Sequence, residues 1–136
     1  MSIIYHINNP ISPDDYLELS ATCQKTLQSR SHSLIQAMLD NTNLLVSAWS
    51  QEGNDAHELV GLARGVSDFR SSCHVVELLV RPDFASTEVA QMLLKYIEPQ
   101  LASGCLLTVL EKSPLNVSFK DLGFEHHNDT WVKLAD

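Results

Sequence analysis

Val75-Val76-Glu77-Leu78-Leu79-Val80, Val89-Ala90-Gln91-Met92-Leu93-Leu94-Lys95-Tyr96-Ile97 and Leu106-Leu107-Thr108-Val109-Leu110 decide the fold. The first stretch reads as a strand, apolar on both faces except at Glu77. The second places Val89, Met92, Leu93, Tyr96 and Ile97 on one helical face and ends near Pro99, which cannot continue a helix. The third is an unbroken apolar run, the pattern of a strand covered on both sides. A strand, a helix and a second buried strand imply a right-handed crossover between parallel strands.

Working outward, the segment before Val75 changes period. Leu44 to Trp49 and Leu59 to Phe69 read as strands, separated by a turn at Gln51-Glu52-Gly53-Asn54-Asp55. Ser71-Ser72 turns the chain into the Val75 strand, so three consecutive strands form an antiparallel meander. Further upstream, Ser12-Pro13-Asp14-Asp15 announces a helix with a capping serine, a first-turn proline and two first-turn acids. Tyr16, Leu19, Cys23 and Leu27 follow at helical spacing. A second helix carries Leu34, Ile35, Met38 and Leu39 on one face and stops near Asp40-Asn41. Ile3 to Ile7 is a short strand. Downstream, Ser113-Pro114 starts another short helix, closed by a glycine cap at Gly123. Strands at Phe124 to His127 and Trp131 to Leu134 are expected to finish the sheet. The order is β-α-α-β-β-β-α-β-α-β-β, an α/β chain of the α+β kind: a mixed sheet with helices on both faces, read as one domain over residues 1–136.

Composition narrows the function classes. Hydrophobic residues make up 44% and charged residues 19%, which suits a globular chain. No apolar run approaches the ~20 residues that cross a bilayer, and no basic segment leads a long apolar stretch at the start. No membrane association is expected. Nine Lys and Arg stand against 17 Asp and Glu, a formal net charge of -8. No cationic cluster is present to neutralise phosphates, so nucleic acid is not an expected partner. Cys23, Cys73 and Cys105 are widely spaced and odd in number, which fits a reduced cytoplasm better than a disulfide framework.

The order of elements, together with Asn43-Leu44-Leu45-Val46-Ser47-Ala48-Trp49, Leu59-Val60-Gly61-Leu62-Ala63-Arg64, Ser67-Asp68-Phe69 and Leu122-Gly123-Phe124, resembles the GNAT superfamily of acetyl-CoA-dependent N-acetyltransferases, its small bacterial members in particular. The resemblance covers nearly the whole chain and is closest from Asn43 to Phe124. It implies that the strand of Val75 to Val80 splays from its parallel neighbour at Leu106 to Leu110. The pantetheine arm of acetyl-CoA would lie in that gap and pair with backbone groups at Leu78, Leu79 and Val80. An amine, on a small molecule or a peptide, would attack the thioester while a base takes its proton and a tyrosine protonates the departing thiolate. Domains of this kind often form homodimers.

Two motifs depart from the family pattern. The pyrophosphate loop, Gln/Arg-x-x-Gly-x-Gly/Ala, aligns with Ala85-Ser86-Thr87-Glu88-Val89-Ala90. Its glycine lets backbone amides approach the phosphates at a helix N-terminus. Ala90 keeps the last small residue, but Ala85 replaces Gln/Arg and Glu88 replaces the glycine. No glycine occurs between Val66 and Ser103, so sliding the alignment does not restore one. Like charges 4 Å apart cost about 4 kcal/mol at an effective dielectric of 20, unless Glu88 rotates into solvent. The bland role of Glu88 is to complement the helix dipole, worth ~0.3–1 kcal/mol. The tyrosine position is Phe119, which keeps the packing and lacks the hydroxyl.

Glu77 is the leading catalytic candidate, the resemblance placing at its position an acid that can serve as base. Its same-face strand neighbours are Val75 and Leu79, so its carboxylate is expected to be desolvated with a raised pKa. Pairing with Arg64 or Arg70 on an adjacent strand is the structural alternative. Asp68 either orients substrate or caps the following turn. His126 and His127 point to opposite faces of a strand, and His6, His32, His57 and His74 have no ligand spacing, so no metal site is expected. Cys73 lacks an arranged base. Trp49 and Trp131 read as core or edge aromatics. Two functions follow: an acyl-CoA-dependent N-acyltransferase with weakened acetyl-CoA binding, or a catalytically inactive binding or dimerisation module.

Overall fold

In the computed structural model, which describes residues 2–23, 31–52, 55–84, 86–110 and 117–135, the chain forms a five-stranded sheet. Its elements are β1 (Ile3–Ile7), α1 (Pro13–Cys23), α2 (His32–Asp40), β2 (Leu44–Glu52), β3 (Asp55–Ser67), β4 (Ser72–Val80), α3 (Ser86–Ile97) and β5 (Leu106–Val109), with a single 3₁₀ turn at Glu98–Gln100. Strands lie side by side in chain order. Neighbours from β1 to β4 run antiparallel, and β5 runs parallel to β4 after the α3 crossover. The mixed sheet expected from the pattern is present.

Local chemistry accounts for the helix ends. The Ser12 hydroxyl accepts the Asp15 N–H at 3.1 Å, and Asp14 and Asp15 occupy the first turn of α1. Ser31 does the same for α2, accepting from Leu34 N–H at 3.2 Å. Asn41 closes α2 by donating both its backbone N–H and its side-chain amide to Ala37 O.

Each sheet face buries its own core. On one face Val89, Ala90, Leu93, Leu94 and Ile97 of α3 pack against Val46, Ala48, Val60, Ala63, Val75, Leu78 and Val80. On the other, Tyr16 and Leu19 of α1 and Ile35 and Leu39 of α2 pack against Leu45, Leu59, Leu62 and Leu79. Gly61 marks the close approach of α3 to β3: a methyl there would stand 2.9 Å from Val89 Cγ1 and 3.3 Å from Ala48 Cβ.

Several expectations are corrected. Leu34 is 50% exposed, so the inner face of α2 is Ile35 and Leu39 with Met38 half-buried. The third strand ends at Ser67, because Phe69 adopts a left-handed conformation (φ 65°) in the following turn. β5 is not covered on both sides: Leu106 is 63% exposed on this edge strand. Residues 124–135 form no strand; Trp131 is 95% and Leu134 80% exposed, and Trp131 is neither core nor edge. Alternation alone does not make a strand where no neighbour supplies hydrogen bonds and apolar contact. The helix expected from Ser113 begins outside the described residues, as does Leu27. In its described part, 117–123, the chain makes consecutive turns and no α-helix; the glycine closure is present, with Phe124 N–H donating to Phe119 O, Gly123 N–H to Lys120 O and Gly123 at φ 93°.

The tight seat of α3 on Gly61 carries a test. Gly61→Leu should lower stability by about 1–3 kcal/mol by forcing the stiff Val89 side chain off the sheet. Urea unfolding measures it, and an unchanged midpoint would mean that α3 does not press on β3 there.

Candidate active site

The register of β3 against β4 contains one irregularity. Arg64 faces Glu77, but the next pair is Gly65 with Val75, so Val76 is an extra residue on β4. Such a bulge bends its strand and resets the alternation of side chains. Val75, Leu78 and Val80 therefore share the α3 face, while Leu79 joins the opposite core. Val75 and Glu77, expected on one face, are on different ones.

Pairing of β4 with β5 runs from Ser72–Leu106 to Val75–Val109 and stops at the bulge. Beyond it, Leu78 to Val80 pairs with β3 on one side and with no strand on the other among the described residues. Antiparallel ladders alternate, so successive residues offer their N–H and C=O to opposite sides. Arg81 N–H donates to Val60 O at 2.8 Å, which makes Leu79 with Leu62 the next hydrogen-bonded pair. The Leu79 carbonyl lies 3.4 Å from where a Gly61 methyl would stand, as that parity requires. Leu78 and Val80 are then the residues whose backbone groups face the open side. Cys23 at the end of α1 donates its thiol to Val80 O at 3.4 Å. Of the three backbone positions expected to pair with a ligand, Leu79 is spent on β3.

Glu77 is buried, with a hydrogen bond to each carboxylate oxygen. Arg64 Nε donates to its Oε1 at 2.6 Å, and the Tyr16 hydroxyl donates to its Oε2 at 2.6 Å. Arg64 also reaches Thr42 Oγ1 at 3.4 Å, and Thr42 caps Met38 O at the end of α2. The pairing alternative with Arg64 is the observed one, and the isolated carboxylate is not. Sequence reasoning missed Tyr16 as a partner. Its phenol was counted as core, and only a buried tyrosine's need for a hydrogen bond could have signalled otherwise.

The loop from β4 to α3 positions the other candidates. Arg81, the only cation between Arg81 and Ala90, pairs with Glu58 and Asp83 and lies over the Phe84 ring. Ala85 is outside the described residues. Because α3 begins at Ser86, the N–H groups of Ser86, Thr87 and Glu88 have no intrahelical acceptor. Glu88 is exposed in this first turn. Burial chiefly, then Tyr96 and the charge of Glu88, push the Tyr5 phenol up from its ordinary value, so that carboxylate acts toward β1. Val89 and Ala90 are buried against the sheet and serve packing. Phe119 is half-buried, edge-on to Phe124 at 5.8 Å, and packs against the α3-side core.

Asp68 caps its turn. Its carboxylate accepts from the backbone N–H groups of Arg70, Ser71 and Ser72 and from the Ser71 hydroxyl. The Ser71 hydroxyl first, then these amides, hold it well below the usual carboxylate range. His74 Nδ1 meets Thr108 Oγ1 at 3.1 Å across the last paired stretch of β4 and β5. Among the described residues no group of three His, Cys, Asp or Glu gathers as a metal site. No helix among them is long and apolar enough to cross a membrane. A cavity of about 240 Å³ is lined by Asp15, Glu18, Leu19, Glu58, Leu59 and Arg81. Its three carboxylates around one arginine favour a cationic over an anionic occupant.

No known family model matches the chain. It is 27% identical over 119 residues to the Glycine max protein named "Probable acetyltransferase TAP2", covering 82% of this chain and 48% of that one. The chain spans about half the length of the curated relatives it matches. Among solved structures, the Streptococcus pneumoniae GNAT-family acetyltransferase SP0256 superposes with a TM-score of 0.67 at 26% identity, covering 97% of this chain and 98% of that one. Staphylococcus aureus SA2161 superposes with a TM-score of 0.72 at 14% identity, covering 98% and 100%.

The buried network predicts unequal costs. Arg64→Ala, which strands a buried carboxylate, should destabilise by about 3–5 kcal/mol. Tyr16→Phe, which removes one hydrogen bond to a charge, should cost about 1.5–3 kcal/mol. Equal or negligible losses in urea unfolding would contradict the network. For Asp68 the folded pKa is depressed, so its stabilisation is present above the unfolded value and lost as pH falls through the folded one. Its NMR carboxyl signal should still report the ionised form near pH 3, about one unit below a free aspartate. A midpoint at the ordinary value would refute the cap.

Proposed function

Because the chain has the GNAT acetyltransferase fold and is similar in sequence to a GNAT-family acetyltransferase and to a protein named a probable acetyltransferase, we propose that it binds acetyl-CoA along the open edge of β4 and transfers the acyl group to an amine, with a weakened grip on the pyrophosphate. The observation that carries this reading is the bulge at Val76 with the edge at Leu78 and Val80 that no strand pairs among the described residues. A linear amide-bearing arm satisfies such an edge as an added strand would. When bound, acetyl-CoA supplies an activated acyl carbon as its thioester.

The residues of this chain fit the arm better than the diphosphate. Leu78 and Val80 offer backbone donors and acceptors two residues apart. Ser86, Thr87 and Glu88 carry amides without an intrahelical acceptor at the start of α3, where a helix favours anions. Against that, Glu88 adds a negative charge and a side chain where glycine would let a phosphate approach, and Arg81 is committed to two carboxylates. An exposed charge is screened, so the penalty falls well below the bare Coulomb figure.

Proton handling is restricted. Each Glu77 oxygen already accepts a hydrogen bond, from Tyr16 or Arg64, and Phe119 has no hydroxyl to give a proton. Losing an acid or base typically costs 10²–10⁴-fold in rate, so turnover is slow. These same two observations favour a second reading: a non-catalytic module in which the cleft binds without turning over.

Calorimetric titration with acetyl-CoA tests the proposal. The protein should bind it in the range of about 10–1,000 μM, and Glu88→Gly should tighten that about tenfold, roughly 1.4 kcal/mol. No binding at millimolar acetyl-CoA would sink the acyl-CoA reading. Binding that is indifferent to Glu88→Gly would remove the weakened grip.

A further inference from the structure

The open edge of β4 is not bare. Of the two carbonyls turned outward, that of Val80 is taken by the Cys23 thiol. Two separate contacts hold α1 against β4: Tyr16 to Glu77 near the start of the helix and Cys23 to Val80 at its last residue. The first is short, buried and charge-assisted, so it fixes the helix. The second is a weak thiol donor on a strand carbonyl. Burial chiefly pushes the thiol up from its ordinary value, with the hydrogen bonds to Thr22 and Val80 and the charge of Arg81 opposing, so at neutral pH Cys23 is a protonated donor. The other two cysteines differ: Cys73 is sealed in the α3-side core, and Cys105 packs at its margin before β5.

We propose that Cys23 belongs to the pantetheine channel, standing in for the arm on Val80 until an amide N–H of the bound cofactor takes that carbonyl. The inference rests on the acyl-CoA reading and adds a residue to it. An amide is the stronger donor, so the exchange is favourable at the carbonyl. The Tyr16 anchor keeps the thiol beside the occupied edge, where the arm covers it. No covalent step is involved.

Differential alkylation tests it on the unmodified protein. Iodoacetamide labelling of each cysteine is followed by peptide mass spectrometry, with and without acetyl-CoA at nine times the dissociation constant found by calorimetry. Labelling of Cys23 should slow about tenfold, the factor 1 + [L]/Kd for a fully shielding ligand, with Cys105 unchanged. Cofactor binding with an unchanged Cys23 rate would overturn this inference and leave the acyl-CoA reading intact. Equal protection of Cys105 would also overturn it, since that reports general tightening. No binding at millimolar acetyl-CoA removes both.

Discussion

One extra residue in one strand organises this molecule. Val76 has no partner on β3, and the mismatch does three things at once. It ends the pairing of β4 with β5, since a bent strand cannot keep a parallel neighbour in register. It sends Val75 and Glu77 to opposite faces. It leaves Leu78 and Val80 with backbone groups that the sheet does not use. An edge open to hydrogen bonding follows from a defect in pairing, without any special side chain.

The buried network beside the bulge is the counterpart of that defect. Arg64 sits directly across from Glu77, and Tyr16 reaches the carboxylate from α1. A lone buried carboxylate is costly, whereas one held by a guanidinium and a phenol is satisfied. The arrangement ties two strands and a helix together where the sheet opens. It also fixes where Glu77 points, because each of its two oxygens is held from a different element.

Much of the fold was legible. The helix start at Ser12, the strand at Leu44 and the parallel return at Leu106 follow from capping chemistry and apolar period, both local properties. The failures have physical reasons as well. Apolar run and alternation suggest a covered strand at Leu106 and a terminal strand at Trp131, but they mark only strand capacity, while coverage depends on what lies alongside. Leu34 was assigned inward because the inner faces of a short helix differ by a fraction of a turn. At the site, Glu77 was found by its polarity amid apolar neighbours, yet Tyr16 was not, since it is 61 residues away and ordinary in a helix.

The sequence by itself determined the element order from β1 to β5, the net negative charge, the identities of Glu88 and Phe119 and the resemblance to GNAT proteins, because each is carried by local pattern or composition. Only the tertiary structure decided which way Glu77 points, that Leu79 faces β3 while Leu78 and Val80 face the opening, and that Cys23 meets Val80. Those outcomes depend on the register between strands far apart in the chain. A single-residue slip in register moves every later side chain to the other face, and no local signal records it.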